Sequence, residues 1–251
     1  MPASDVPGAA TPGRAGPAAA LEALAGLEGV ASGFAAARDG IDALLRDRGL
    51  RRVAPETTGE ALLRGAHASA RLEGSGSDLE QIRSGGGDEI AQAAVRLNVG
   101  LLKLADTLRR APLQALARMH VLVAEDPATA GRPVDAEAAG RLATLGQALA
   151  ADTSAPALLV AAVAHAEIAT ASPFGSRDGL VARGLERLVL ASRGVDPASV
   201  MVPEAGHLKL RIGYEAKLRD YAEGGRDGVH AWLLYAAEAY AAGAEASPVP
   251  R

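Results

Sequence analysis

His165-Ala-Glu-Ile-Ala-Thr-Ala-Ser172-Pro173-Phe174-Gly175-Ser176-Arg177-Asp178-Gly179-Leu180-Val-Ala-Arg183 is the stretch on which the reading of this chain turns. Its first eight residues continue an apolar, alanine-rich helical pattern that opens at Pro156. Proline then stops the pattern, since its ring fixes φ and removes a backbone donor. Two glycines punctuate the next six residues, and the apolar period resumes from Leu180 to Ser192. The segment therefore reads as helix, tight loop, helix. The loop delivers backbone N–H groups and two arginines to the start of the second helix, where the helix dipole favours anions.

Composition sets the class. Of 251 residues, 49% are hydrophobic but only 3% are aromatic, and alanine and leucine dominate. Those residues have the highest helix propensities, and runs of alternating β-branched residues are missing. The expected fold class is all-α, a single helical domain packed through small side chains. Net charge is −4, from 26 basic and 30 acidic residues mixed along the chain. No basic block marks a nucleic-acid surface. No cysteine is present, so disulfides, thiol nucleophiles and zinc–thiolate sites are excluded. No leader pattern and no apolar run of about 18 residues occurs. This predicts no membrane span and a cytoplasmic address.

Residues 1–16, rich in Pro, Gly and Ala, are expected to form a disordered tail, and residues 17–56 two helices joined softly at Gly29 to Gly33. Thr57 with Glu60 has capping-box spacing and opens a helix over 57–74 that Gly74-Ser-Gly-Ser77 stops. Asp88 starts a helix carrying Ile90, Ala94, Leu97, Leu101, Leu104 and Leu108 at helical spacing. Pro112 sits in the first turn of the next, and Asp135 begins another to about Ala150. Two last helices are expected over 207–221 and 229–242. A disordered tail is expected over 243–251.

The loop resembles the motif of the Fic (Fido) family, His-Pro-Phe-x-Asp/Glu-Gly-Asn-Gly-Arg-x-x-Arg. Pro173, Phe174, Gly179 and Arg183 match it. Ser172 stands where the family has its histidine, Ser176 where it has its acid, and Leu180 where it has its first arginine. Arg177 and Asp178 replace the glycine and asparagine between them. Three further segments follow in the family's order. Ser69-Ala-Arg-Leu-Glu73-Gly74 is similar to the inhibitory-helix motif Ser/Thr-x-x-x-Glu-Gly/Asn. His120, with Gly131-Arg132 after it, resembles the helix before the family's flap. Tyr214, Tyr221 and Gly224-Gly-Arg-Asp-Gly-Val-His-Ala-Trp232 resemble its closing helices. The resemblance spans residues 57–242 and implies a Fic-like helical bundle.

It also implies an activity, transfer of AMP from ATP to protein hydroxyls, with histidine as general base, the acid on magnesium, the loop backbone as anion hole and the arginines on phosphates. General-base work needs a pKa near the working pH. An imidazole has one and a serine does not. The resemblance thus implies a catalytically impaired relative that binds a protein partner or nucleotide. The alternative is an active enzyme with ATP and magnesium that uses Asp178 and a non-histidine base. Arg177, Asp178, Gly179 and Arg183 are the candidate phosphate or nucleotide binders. Asp178 otherwise reads as an N-cap, and Ser172 as a helix-end residue whose hydroxyl bonds nearby backbone. Ser69, Glu73 and Gly74 are the candidate regulatory or structural residues, and the resemblance pairs Glu73 with Arg183. His165, with Glu167, reads as core, as does His120. No His-x-x-x-His pair suggests a metal-binding helix. The family's flap is shortened, since only Pro133 and Val134 separate Arg132 from the next helix.

Overall fold

The computed structural model describes residues 16–46 and 53–249. Nearly all of the tail expected over 1–16, and the stretch 47–52, lie outside the described residues. The described chain is all-α. In order the helices are α1 (Pro17–Ala25), α2 (Val30–Arg46), α3 (Pro55–Leu72), α4 (Leu79–Arg83), α5 (Glu89–Leu101), α6 (Ala105–Arg110), α7 (Pro112–Val123), α8 (Ala136–Ala150), α9 (Ala157–Ala171), α10 (Asp178–Ser192), α11 (Pro203–Lys209), α12 (Arg211–Glu223) and α13 (Gly225–Glu245), with a 3-10 turn over Leu102–Leu104. No single described helix is long and apolar enough to cross a membrane.

The centre is the pair α9 and α10. Almost every residue from Leu158 to Ile168 and from Leu180 to Leu190 is buried. A helix buried all round must be covered on every side. α8, α12 and α13 cover α9, while α3, α5, α6 and α7 cover α10. Trp232 of α13 is fully buried and donates its indole N–H to the Ala162 carbonyl, 2.9 Å away. Elsewhere the core is alanine and leucine, and small residues let backbones meet. At Gly206 in α11, a Cβ would drive into the Ala239 carbonyl and come 2.9 Å from Gly243 N, both in α13.

The caps show where local chemistry sets the boundaries. Asp88 and Asp135 accept from the N–H groups three residues on, and Pro112 fills the first turn of α7, all as the sequence suggests. Thr57 does not cap. α3 opens two residues earlier, at Pro55. The Thr58 hydroxyl donates to Ala198 O instead, and Glu60 pairs with Arg64 and Arg83. The capping box belongs to Asp78 and Gln81, at the start of the one-turn α4. Gly74, at φ +89°, ends α3. Ser75 N donates to Ala70 O and Gly74 N to Arg71 O, the paired closing bonds that a left-handed glycine permits.

Four expected elements are redrawn. The joint between α1 and α2 lies at Gly26–Gly29, with an 85° bend, and Gly33 is inside α2. The helix from Asp88 breaks into α5, the 3-10 turn and α6, and the helix expected over 207–221 breaks at Leu210. Apolar periodicity runs unbroken across the first, because the 3-10 turn tightens the hydrogen-bond ladder only locally. At the C-terminus α13 continues to Glu245, past the expected boundary at 243, and Val249 is buried.

Backbone-to-backbone packing at Gly206 leaves no room for a methyl group. We expect Gly206→Ala to cost about 1–3 kcal/mol or more, the overpacking range, measured by urea denaturation. A midpoint unchanged from wild type would show that α11 and α13 separate freely.

Candidate functional site

α9 ends at Ser172, which takes a left-handed conformation (φ 44°, ψ 52°) and closes the helix by donating its N–H to Ile168 O. Arg177, at the far end of the loop, is left-handed too (φ 56°). Such a conformation costs a non-glycine residue about 1–2 kcal/mol, so tertiary contacts hold it. The strongest is Phe174, buried and stacked on His120 of α7 with ring centroids 4.4 Å apart and planes 9° from parallel. Val134 N donates to Pro173 O at 2.9 Å, tying the loop to the segment between α7 and α8. That segment contains turns and no strand, in keeping with a shortened flap.

Asp178 is the first residue of α10 and does not cap it; Arg177 holds the N-cap position without a side-chain bond. The Asp178 carboxylate turns back and accepts from Phe174 N at 3.0 Å. The left-handed Arg177 reverses the chain so that this bond is nearer than the helix's own N–H groups. Burial pushes the Asp178 carboxyl up to about 6, against the bonds from Phe174 and Gly175, and the Glu73 charge adds to the rise. Ser172 is exposed, and among the described residues its hydroxyl has no hydrogen bond, contrary to the local bond expected. Leu180 is fully buried in the core.

Both loop arginines are held by the protein's own carboxylates. Arg177 Nη2 is 2.9 Å from Glu125 Oε1. Arg183 is 1% exposed and binds residues of α3 and α12. Its Nε donates to Ser69 Oγ (2.8 Å), Nη1 to Tyr214 OH (2.9 Å), and Nη2 to Ser69 O (3.3 Å) and Glu73 Oε1 (2.7 Å). The expected Glu73–Arg183 contact is therefore formed, and Ser69 contributes two further acceptors. The Glu73 carboxylate lies so close to Gly179 that a Cβ there would overlap it. An anion thus sits at the N-terminal turn of α10, and it is a side chain of the neighbouring helix.

His165 is in the core, as expected, but Glu167 is not its partner. Two residues apart on a helix, they face different ways: Glu167 accepts from Tyr221 OH and lies near Arg141. His165 meets Tyr214, Glu186 and His207. His120 Nδ1 accepts from Gly131 N, and the imidazole also meets the Ser176 backbone.

Sequence reasoning passed over Glu186 and Arg187, both buried in α10. Arg187 forms a forked pair with Glu204 at 2.8 and 2.6 Å and donates to Ser199 and Met201 carbonyls. The signal was available: two adjacent charges interrupt the apolar run Leu185 to Leu190, three and four residues after Arg183, on the face that Arg183 occupies.

Two outcomes follow from this geometry. Glu73→Ala leaves the buried Arg183 without its carboxylate, and we expect a loss of about 2–3 kcal/mol, below the 3–5 kcal/mol of a fully buried pair because Glu73 is 26% exposed. Glu73→Gln, which keeps an acceptor, loses less; equal stability of wild type and the alanine variant in urea would refute the role. For Asp178, the folded pKa of about 6 lies above the ordinary aspartate value of 3.8. The folded state then holds the proton more tightly, so this group's contribution to stability is greatest below that window and falls as pH rises from about 4 through 6. Asp178→Asn keeps an acceptor for Phe174 N and removes the charge. It should exceed wild type by about 1–2 kcal/mol at pH 7.5 and match it near pH 4. A difference independent of pH would contradict this.

No protein-family model and no curated protein sequence matches the chain. Solved structures do. A fragment of Fic-1 from C. elegans superposes with a TM-score of 0.65 at 18% identity, covering 84% of this chain and 69% of that one. At that identity the likeness speaks for the fold alone: over most of the chain the helices are arranged as in a Fic-domain protein.

Proposed function

We propose that this protein is a catalytically impaired relative of the protein adenylyltransferases, which transfer AMP from ATP to protein hydroxyls, and that it acts by binding a protein partner or nucleotide rather than by turnover. The observation that carries this reading is the Glu73 carboxylate on the α10 N-terminal turn, paired with Arg183 and packed against Gly179. A phosphate entering there would have to displace it. Arg177 is likewise engaged, by Glu125. Of the two modes of binding, this arrangement favours the protein partner.

The chemistry of the loop agrees. Ser172 offers no group that titrates near neutrality, so a target hydroxyl would keep its proton. The residues present do not fit a magnesium ion. Such an ion needs hard, charged oxygen ligands, and Ser176 supplies none. Asp178, the one acid of the loop, is buried and aimed at a backbone N–H group. Leu180, packed in the core, removes the first arginine's charge from the site.

The test is incubation with labelled ATP and magnesium or manganese, alone and with a cell extract as acceptor. We expect no label on any protein, and no AMP release. Loss of acid–base catalysis alone lowers rates about 10²–10⁴-fold, and loss of the metal compounds it. Ser172→His is expected to stay silent as well, because the metal carboxylate is still missing. Label transfer abolished by substitutions in the loop would overturn the proposal. Turnover gained in Ser172→His would show Asp178 serving as a metal ligand.

A further inference from the structure

We propose that His165, Glu186 and His207 form a buried binding site for one divalent transition-metal ion of the zinc type. The three side chains come from α9, α10 and α11, are fully buried, and bring ligand atoms within 4.8 Å of one another. His165 Nδ1 is 3.1 Å from Glu186 Oε1, and His207 Nε2 is 3.0 Å from Glu186 Oε2. An ion about 2.0–2.1 Å from its ligands in tetrahedral geometry separates them by roughly 3.3 Å. Both imidazole–carboxylate separations are near that value, so the protein would fill three of the four positions.

Three observations point to a ligand rather than to a closed hydrogen-bond network. First, His165 Nδ1 is buried 3.1 Å from Glu186 Oε1 and poorly aligned for a hydrogen bond to it. A ring nitrogen and a carboxylate oxygen held that close are spaced as two ligands of one ion are. Second, the outward nitrogen of each ring is held by a phenol: His165 Nε2 by Tyr214 OH at 2.9 Å and His207 Nδ1 by Tyr235 OH at 3.0 Å. Tyr240 OH donates to Glu186 Oε1 at 2.9 Å. Metal-binding histidines and carboxylates are oriented by such outer partners. Third, among the described residues Glu186 is met by two imidazoles and a phenol and has no Arg or Lys within salt-bridge distance, whereas the buried arginines 183 and 187 each have a carboxylate.

The donor set suits zinc. Two imidazoles and one carboxylate favour a borderline-soft ion over magnesium or calcium, which demand more oxygens. The ion would tie α11, a helix of 7 residues, to the central pair. Its role would be structural and separate from the α9–α10 loop.

The experiment uses the full chain without a polyhistidine tag, stripped by chelator and then titrated with zinc(II) or cobalt(II). We expect about one equivalent retained per chain, tetrahedral-type visible bands with cobalt, and a melting temperature raised by at least about 5 °C and returned by chelator. His165→Gln and His207→Gln should lose the metal, while His67→Gln, His120→Gln and His230→Gln keep it. Should the ligand variants fail to fold, Tyr235→Phe keeps every ligand and should bind about 10–100-fold more weakly. The proposal falls if wild type retains under about a tenth of an equivalent and melts alike with zinc and with chelator, leaving a hydrogen-bonded network only. It falls too if Tyr235→Phe binds as tightly as wild type, or if His165→Gln and His207→Gln fold and keep the metal.

Discussion

A guanidinium cut off from water must find acceptors for its N–H groups inside the protein, and Arg183 finds four: Ser69 Oγ, Ser69 O, Tyr214 OH and Glu73 Oε1. The rest of the site depends on how those acceptors arrive. Two residues of α3 and one of α12 converge on a side chain of the central helix. α3 can reach it only because Gly74 closes that helix directly after Glu73. Glu73 meets the negative end of its own helix dipole there, and the cation offsets that repulsion. Its carboxylate lies at the positive end of α10, so both helix ends gain from one ion pair.

The same chain of contacts continues inward. Tyr214 joins Arg183 to His165, and His165 leads to Glu186, His207, Tyr235 and Tyr240. One turn along α10, Arg187 and Glu204 fix the segment between α10 and α11 through Ser199 and Met201. Alanine-rich helices pack closely but specify register weakly, since one small side chain resembles the next. Buried polar groups with directed bonds supply what such a core lacks: each is satisfied in only one arrangement of the helices. Oriented pairs on α10 are thus an answer to a core with few aromatic residues.

On the proposed reading, the loop between α9 and α10 keeps the shape of an active loop with its chemistry changed. Phe174 on His120, the left-handed Ser172 and Arg177, and Gly179 beneath Glu73 all serve geometry. The positions to which the Fic resemblance gives proton transfer, metal binding and phosphate contact hold two serines, a core leucine and an aspartate turned to the backbone. Packing requires only that these positions fit, so the frame persists whether or not a reaction takes place on it.

Much of this was legible in the residues. Helix propensity and apolar spacing placed most helices, because burial on one face imposes a period that any chain must show. Pro173 and the paired glycines set the loop, and the spacing of Ser69, Glu73 and Arg183, read through the resemblance, anticipated the ion pair. Three things were decided in space. Thr57 had the spacing of a cap, but Pro55 starts the helix and the neighbouring Thr58 is drawn to Ala198, 140 positions away. Asp178 read as a cap until the reversal at Arg177 brought Phe174 N nearer. Glu186 and His207, 21 positions apart, met His165 only through the packing of α9, α10 and α11. Sequence patterns report forces that act along one element; which polar groups share a buried volume is set by how elements pack, and no period along the chain encodes it.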